Sequence, residues 1–168
     1  MKKTKMIVFL GLMIALNVVL TEVAKLLPFA TIVRISLSFI PIAAGAIMYG
    51  PVPAGAAAAL ADILSFFIFP TGAYFPGFTA SAFLAGVIFA LILYKNRPSI
   101  LRTLTAAVLV ILIVDVLLNT IWLYMLLPGY TLWALFVPRF IKSLIMIPIE
   151  TFVILALWPV LVRLRLKA

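Results

Sequence analysis

Residues 138–150 read PRFIKSLIMIPIE: two cations, Arg139 and Lys142, and one carboxylate, Glu150, set in an otherwise apolar run. What this stretch is settles the architecture. On a soluble helix such charges would lie on a polar side, and the neighbouring sequence gives them none. The apolar run extends from Val137 to Leu164, longer than the roughly 20 residues needed to cross a bilayer. A charge inside a span is costly, and faces the bundle interior or a watered cavity, where it is a functional candidate by default. The stretch therefore reads as part of a membrane helix with three polar side chains turned inward.

The rest of the chain agrees with that reading. Of 168 residues 67% are hydrophobic, and the mean hydropathy is +1.37. A soluble domain is roughly half apolar, so this chain lacks the polar surface to face water all round. Cysteine and histidine are both absent, which excludes disulfides, thiol nucleophiles and imidazole chemistry, and leaves no metal site to propose. No cofactor is expected. The net charge of +9 is not a nucleic-acid stripe, because the basic residues gather as they do on membrane anchors. Lys2, Lys3, Lys5, Arg163, Arg165 and Lys167 lie in the two tails, and Lys95, Arg97 and Arg102 crowd the polar stretch YKNRPSILR. No cleavable signal is expected, since the apolar run from Met6 to Leu20 has no small-residue cleavage site and continues into TEVAKLLP.

Proline, glycine and polar punctuation divides the chain into six spans, at about 6–27, 36–49, 52–69, 78–94, 103–127 and 137–164, forming one integral membrane domain over 1–168. Pro148 and Pro159 fall inside the last, where neighbouring helices can satisfy the freed carbonyls. The expectation is an all-α, multi-pass protein of the cell membrane. The positive-inside rule puts both termini in the cytoplasm, with Lys25, Arg34, Arg139 and Lys142 at or near the outer face. Three longer outer connections follow: PFATIVRISLS, PTGAYFPGF and PGYTLWALFVPRF.

All four acidic residues, Glu22, Asp62, Asp115 and Glu150, fall within these spans. On the fifth, Asp115, Asn119 and Trp122 recur at i, i+4 and i+7, so one helical face presents a carboxylate, an amide and an indole. On the sixth, Lys142, Met146 and Glu150 share a face, with Arg139 one turn nearer the outer side and roughly 16 Å from Glu150 along the axis. Cations at the mouth with a carboxylate deeper in suit a long ligand with anionic and donor ends. The competing reading makes Arg139 and Lys142 snorkelling anchors and the carboxylates register pins. Tyr74, Phe75 and Phe78, then Tyr130, Trp133 and Phe136, supply outer rings, either for stacking a flat ligand or as an ordinary aromatic belt. Gly11 and Ala15 make a small-xxx-small pair on the first span, permitting another helix to come close.

RISLSFIPIAAGAIMYGPVPAG, FPGFTASAFLAGVIFALIL and PRFIKSLIMIPIE together give the chain a family likeness. It resembles the substrate-binding S components of energy-coupling factor (ECF) vitamin transporters, and among them most resembles the folate-specific member. The resemblance implies a six-helix S-component bundle with one vitamin bound in a pocket open to the outside and no enzymatic activity of its own. It also implies a transmembrane coupling subunit and two cytoplasmic ATPases as partners, with the coupling subunit meeting the first helix at Gly11 and Ala15. That division of labour fits the sequence, which has no P-loop of the form GxxxxGK[ST].

Folate suits the polar groups chemically. A carboxylate can accept two parallel hydrogen bonds from its pteridine edge, aromatic side chains can stack on its rings, and Arg or Lys can hold its two tail carboxylates. The expected tail site is Arg34, Arg139 and Lys142; Asp62, Asp115, Asn119 and Glu150 all stand as candidates for the pterin edge, and Ser36 is a further candidate for substrate binding. The rivals are an S component for riboflavin, pantothenate or thiamin, an intramembrane aspartyl-type enzyme built on Asp62 and Asp115, and a membrane subunit acting only in assembly.

Overall fold

The structure, a computed structural model, describes residues 2–26, 37–70 and 74–167. Among the described residues six helical segments follow one another, with no strand. These are α1 (Lys2–Leu26), α2 (Phe39–Tyr49), α3 (Pro51–Ile68), α4 (Pro76–Leu93), α5 (Ile100–Leu126) and α6 (Leu132–Lys167). All but α2 are long and apolar enough to cross a membrane. The expected second span, 36–49, is an 11-residue helix starting at Phe39, about 16 Å long against a hydrocarbon core of about 30 Å.

The last helix also departs from expectation. The outer connection PGYTLWALFVPRF becomes helical at Leu132, so Trp133 and Phe136 stand on α6 rather than in a loop. Pro138, Pro148 and Pro159 all lie inside it. Proline ends a helix in water because it frees a carbonyl four residues back; in a bundle, neighbours can satisfy that carbonyl and the helix runs on.

The packing is that of a membrane bundle. Large apolar side chains point outward: Ile7, Val8, Leu12, Phe67, Leu101 and Trp133 are each more than 60% exposed. The inner faces are small, with Ala43, Ala44, Gly45 and Ala46 buried on α2, and Ala54, Gly55, Ala58, Ala61 and Ser65 on α3. Lipid is as apolar as leucine, so small residues that let backbones approach gain more than large ones at a helix interface. α3 and α4 come together closely, backbone to backbone. A Cβ on Gly86 would stand 2.8 Å from the Ala54 carbonyl oxygen, and one on Gly55 would stand 2.9 Å from the Phe83 ring. Between α2 and α3, Gly50 turns the chain at φ +88°, a conformation that side chains rarely adopt.

A second layer of larger side chains closes the core around α4, α5 and α6, where Phe89, Leu93, Ile111, Ile154 and Trp158 are fully buried. On α1, the amide of buried Asn17 donates to the Ser38 carbonyl at 2.9 Å. That bond fixes the entry into α2, and with it the three residues, Ser38, Phe39 and Ile42, that reach the site below.

Candidate functional site

Between α2, α4, α5 and α6 lies a cavity of about 560 Å³, a size ordinary for a small-molecule site. Its polar residues come mainly from two helices. Asp115 and Asn119 project from α5; Arg139, Lys142, Ser143 and Glu150 project from α6; Ser38 adds a hydroxyl just before α2. Its apolar wall is made by Phe39, Ile42, Ala85, Phe89, Val110, Ile111, Leu123, Pro138 and Met146.

Several of the polar groups are held in place. Arg139 Nη1 donates to the backbone carbonyl of Asp115 at 3.0 Å, joining α6 to α5. Asn119 Nδ2 donates to Asp115 Oδ1 at 3.3 Å. Ser143 is occupied within its own helix, its hydroxyl donating to the Arg139 carbonyl at 2.8 Å. Two acceptors are left over. Among the described residues, Asn119 Oδ1 and Glu150 Oε2 are buried without a hydrogen-bond partner, and Glu150 is only 4% exposed. A buried polar atom left unpaired costs about 1–3 kcal/mol, more when it is charged. Two such acceptors lining one cavity are therefore poised for donors on a ligand. The cavity pairs these acceptors with the two cations of α6.

The structure thus brings together five of the residues singled out from the sequence: Asp115, Asn119, Arg139, Lys142 and Glu150. Others are elsewhere. Asp62 accepts from the Thr79 hydroxyl at 2.7 Å, and Tyr74 reaches the same hydroxyl oxygen at 2.9 Å. Because the threonine proton is given to Asp62, Tyr74 is the donor to Thr79, and the three groups form a chain linking α3 to α4. Asp62 does not line the cavity with Asp115, so the pair cannot form an aspartyl dyad there. Phe75 and Phe78 pack edge to face at 6.1 Å, and Phe75 also tilts against Trp122 at 5.6 Å. Tyr74 packs on Phe66 at 5.2 Å. None of these rings lines the cavity; its aromatic side chains are Phe39 and Phe89. Arg34 and Ser36 lie outside the described residues.

Trp122 separates from Asp115 and Asn119 for a reason in the backbone. Val110–Leu118 of α5 is a π-helix. Each wide turn takes up an extra residue, so positions spaced for an α-helical face no longer stay in line. Asp115 and Asn119 keep the cavity, while the Trp122 indole turns to α4 and donates to buried Ser81 Oγ at 3.0 Å. The lining residues that the sequence reading passed over are Ser38, Ser143 and the apolar wall apart from Met146, which shares the face of Lys142 and Glu150. Ser143 follows Lys142 directly, and Ser38 sits in the polar break RISLSF; these were the available signals. Phe39 and Phe89 gave none, because a cavity-facing ring and a lipid-facing ring look alike in an apolar segment.

Comparison with known proteins points the same way. Residues 5–158 match the family model of the ECF transporter, substrate-specific component. Over 166 residues the chain is 40% identical to the folate transporter FolT of Clostridium novyi (strain NT), covering 99% of this chain and 95% of that one. It is 34% identical over 152 residues to the folate transporter FolT of Leuconostoc mesenteroides subsp. mesenteroides, covering 88% and 80%. Among solved structures it superposes on a crystal structure of FolT bound with folic acid, with a TM-score of 0.82, 35% identity and 93% of each chain covered.

Proposed function

The chain belongs to the substrate-specific components of ECF transporters, and from that premise we propose that it binds folate at the outer side of the membrane for delivery into the cell. It is an integral, multi-pass membrane protein and not an enzyme, as its relatives are transport components. The observation that carries the folate reading is the cavity itself: buried, unpartnered acceptors on Asn119 and Glu150 stand in one pocket with the cations Arg139 and Lys142. Folate has donors on its pterin edge and carboxylates on its tail, the complement of that arrangement.

In this reading Glu150 and Asn119 accept from the pterin edge, with Asp115 beside them. Phe39 and Phe89 flank the rings, and Lys142 and Arg139 hold the tail. Arg34 and Ser36 remain candidates for the tail, since Ser36 is two residues from cavity-lining Ser38. Asp62, Tyr74, Phe75, Phe78 and Trp122 serve instead to pack the ends of α3, α4 and α5, which supports the floor and rim of the site without touching ligand. The domain is a single unit of six helices, the short α2 included, with both termini cytoplasmic. That orientation rests on the nine basic residues of the tails and the 94–102 connection. Energy comes from partners, a transmembrane coupling subunit and two ATPases, and the coupling subunit meets α1 at Gly11 and Ala15. Both residues are exposed, and a Cβ on Gly11 would meet nothing within 4 Å.

The test is direct binding to the purified chain in detergent, with a panel of folate, riboflavin, thiamin and pantothenate. Folate alone should bind and compete. Preference for another vitamin would replace this reading with its nearest rival, and binding of none would favour a purely assembling subunit.

A further inference from the structure

The π-helix of α5 ends where the Asn119 N–H donates to the Val114 carbonyl, five residues back, and α-helical bonding resumes over Asn119–Leu126. Returning from i→i+5 to i→i+4 bonding passes over one acceptor. Asn119 takes Val114, and an α-type bond from Thr120 falls on Val116, so the carbonyl passed over is that of Asp115. This is the carbonyl to which Arg139 Nη1 donates at 3.0 Å from α6. A side chain of a neighbouring helix takes the one bond that the change of helix type leaves spare.

The junction also sets the site. Asp115 lies inside the wide turns and Asn119 is the first residue beyond them; both line the cavity and bond to each other. One residue of register is about 100° of rotation on an α-helix, so losing the wide turn would swing these two groups off the cavity. Arginine suits the task, since its planar guanidinium presents N–H donors in a fixed geometry.

We propose that Arg139 is a positioning residue: its guanidinium fixes the π-to-α junction of α5 and so holds Asp115 and Asn119 toward the ligand. The ligand's identity rests on the folate reading above; the positioning does not. Arg139 therefore affects how well the pterin end is bound, although its charge belongs with the tail.

Two ligands separate this role from simple charge pairing. Folate carries the tail carboxylates, and 6-hydroxymethylpterin does not. For the full chain in detergent, R139M is expected to weaken 6-hydroxymethylpterin ten-fold or more, and folate by at least that factor. A loss confined to folate, with pterin affinity unchanged, overturns the proposal. If R139M does not yield folded protein, R139Q makes the same comparison: a loss of pterin affinity supports positioning, and a folate-only loss overturns it. A ligand-free measurement stands apart from the folate reading. Amide hydrogen exchange in a peptide covering 114–126 should rise in the variant while α3 peptides hold steady. Unchanged exchange overturns the proposal, whereas a wild-type chain that binds neither ligand overturns only the folate reading.

Discussion

Glu150 Oε2 and Asn119 Oδ1 are buried acceptors awaiting donors, and their consequence is testable one side chain at a time. A carboxylate can accept two parallel N–H bonds from a pterin edge, whereas glutamine offers one acceptor and turns an N–H₂ toward a donor. E150Q should therefore lose about 1.5–3 kcal/mol of folate affinity, roughly ten- to a hundred-fold in Kd. Titration calorimetry in detergent checks this; an unchanged Kd would remove Glu150 from the site. Lys142 makes a different prediction. K142M should weaken folate by a similar factor yet leave 6-hydroxymethylpterin within about two-fold, since only folate brings carboxylates to it. The five residues that meet in the cavity could be picked from the sequence because a charge or amide in an apolar segment needs a reason. Asp62 had the same appearance and a different fate. Its carboxylate is taken by Thr79, with Tyr74 behind it, and which helix supplies a partner depends on the three-dimensional packing rather than on spacing along the chain.

At the scale of the element, helix crossings depend on a few positions without a side chain. Gly86 faces the Ala54 carbonyl and the Gly55 Cα across the α3–α4 contact, and a Cβ there would stand 2.8–2.9 Å from backbone atoms. Backbone cannot rotate aside as a side chain can, so G86A should destabilise by about 1–3 kcal/mol, the range for overpacking a core. A thermal unfolding scan in detergent, with and without folate, measures it; a midpoint equal to wild type would show that the two helices are not so closely joined. The existence of these elements was legible from apolar length and punctuation. Their limits were less so, as α2 is shorter than a span and α6 begins five residues before its expected start. Proline and polar residues mark helix ends in water, but Pro138 sits within α6, as proline can in a membrane helix. The π-helix left no mark at all, since VILIVDVLL would suit an α-helix equally well.

At the scale of the molecule, α1 stands apart from the site and presents much of its length outward. Leu12 is 62% exposed, Gly11 and Ala15 are exposed beside it, and no atom lies within 4 Å of where a Gly11 Cβ would be. The isolated chain consequently has no use for a small residue at position 11, and alanine or leucine there should fold at least as well, given glycine's cost of about 0.5–1 kcal/mol within a helix. A close-packed contact with a coupling subunit would impose the opposite requirement, because a leucine side chain would hold the two helices apart. G11L should then leave folate affinity in detergent unchanged while folate uptake falls at least ten-fold in vesicles carrying the coupling subunit and ATPases. The two measurements must be made on the same variant, because a loss of both would mean a damaged fold, and retention of both would move the contact to another face. Binding without uptake is the outcome that separates the two halves of the molecule. In the proposed reading the ligand is held among α2, α4, α5 and α6, and the coupling subunit acts through α1.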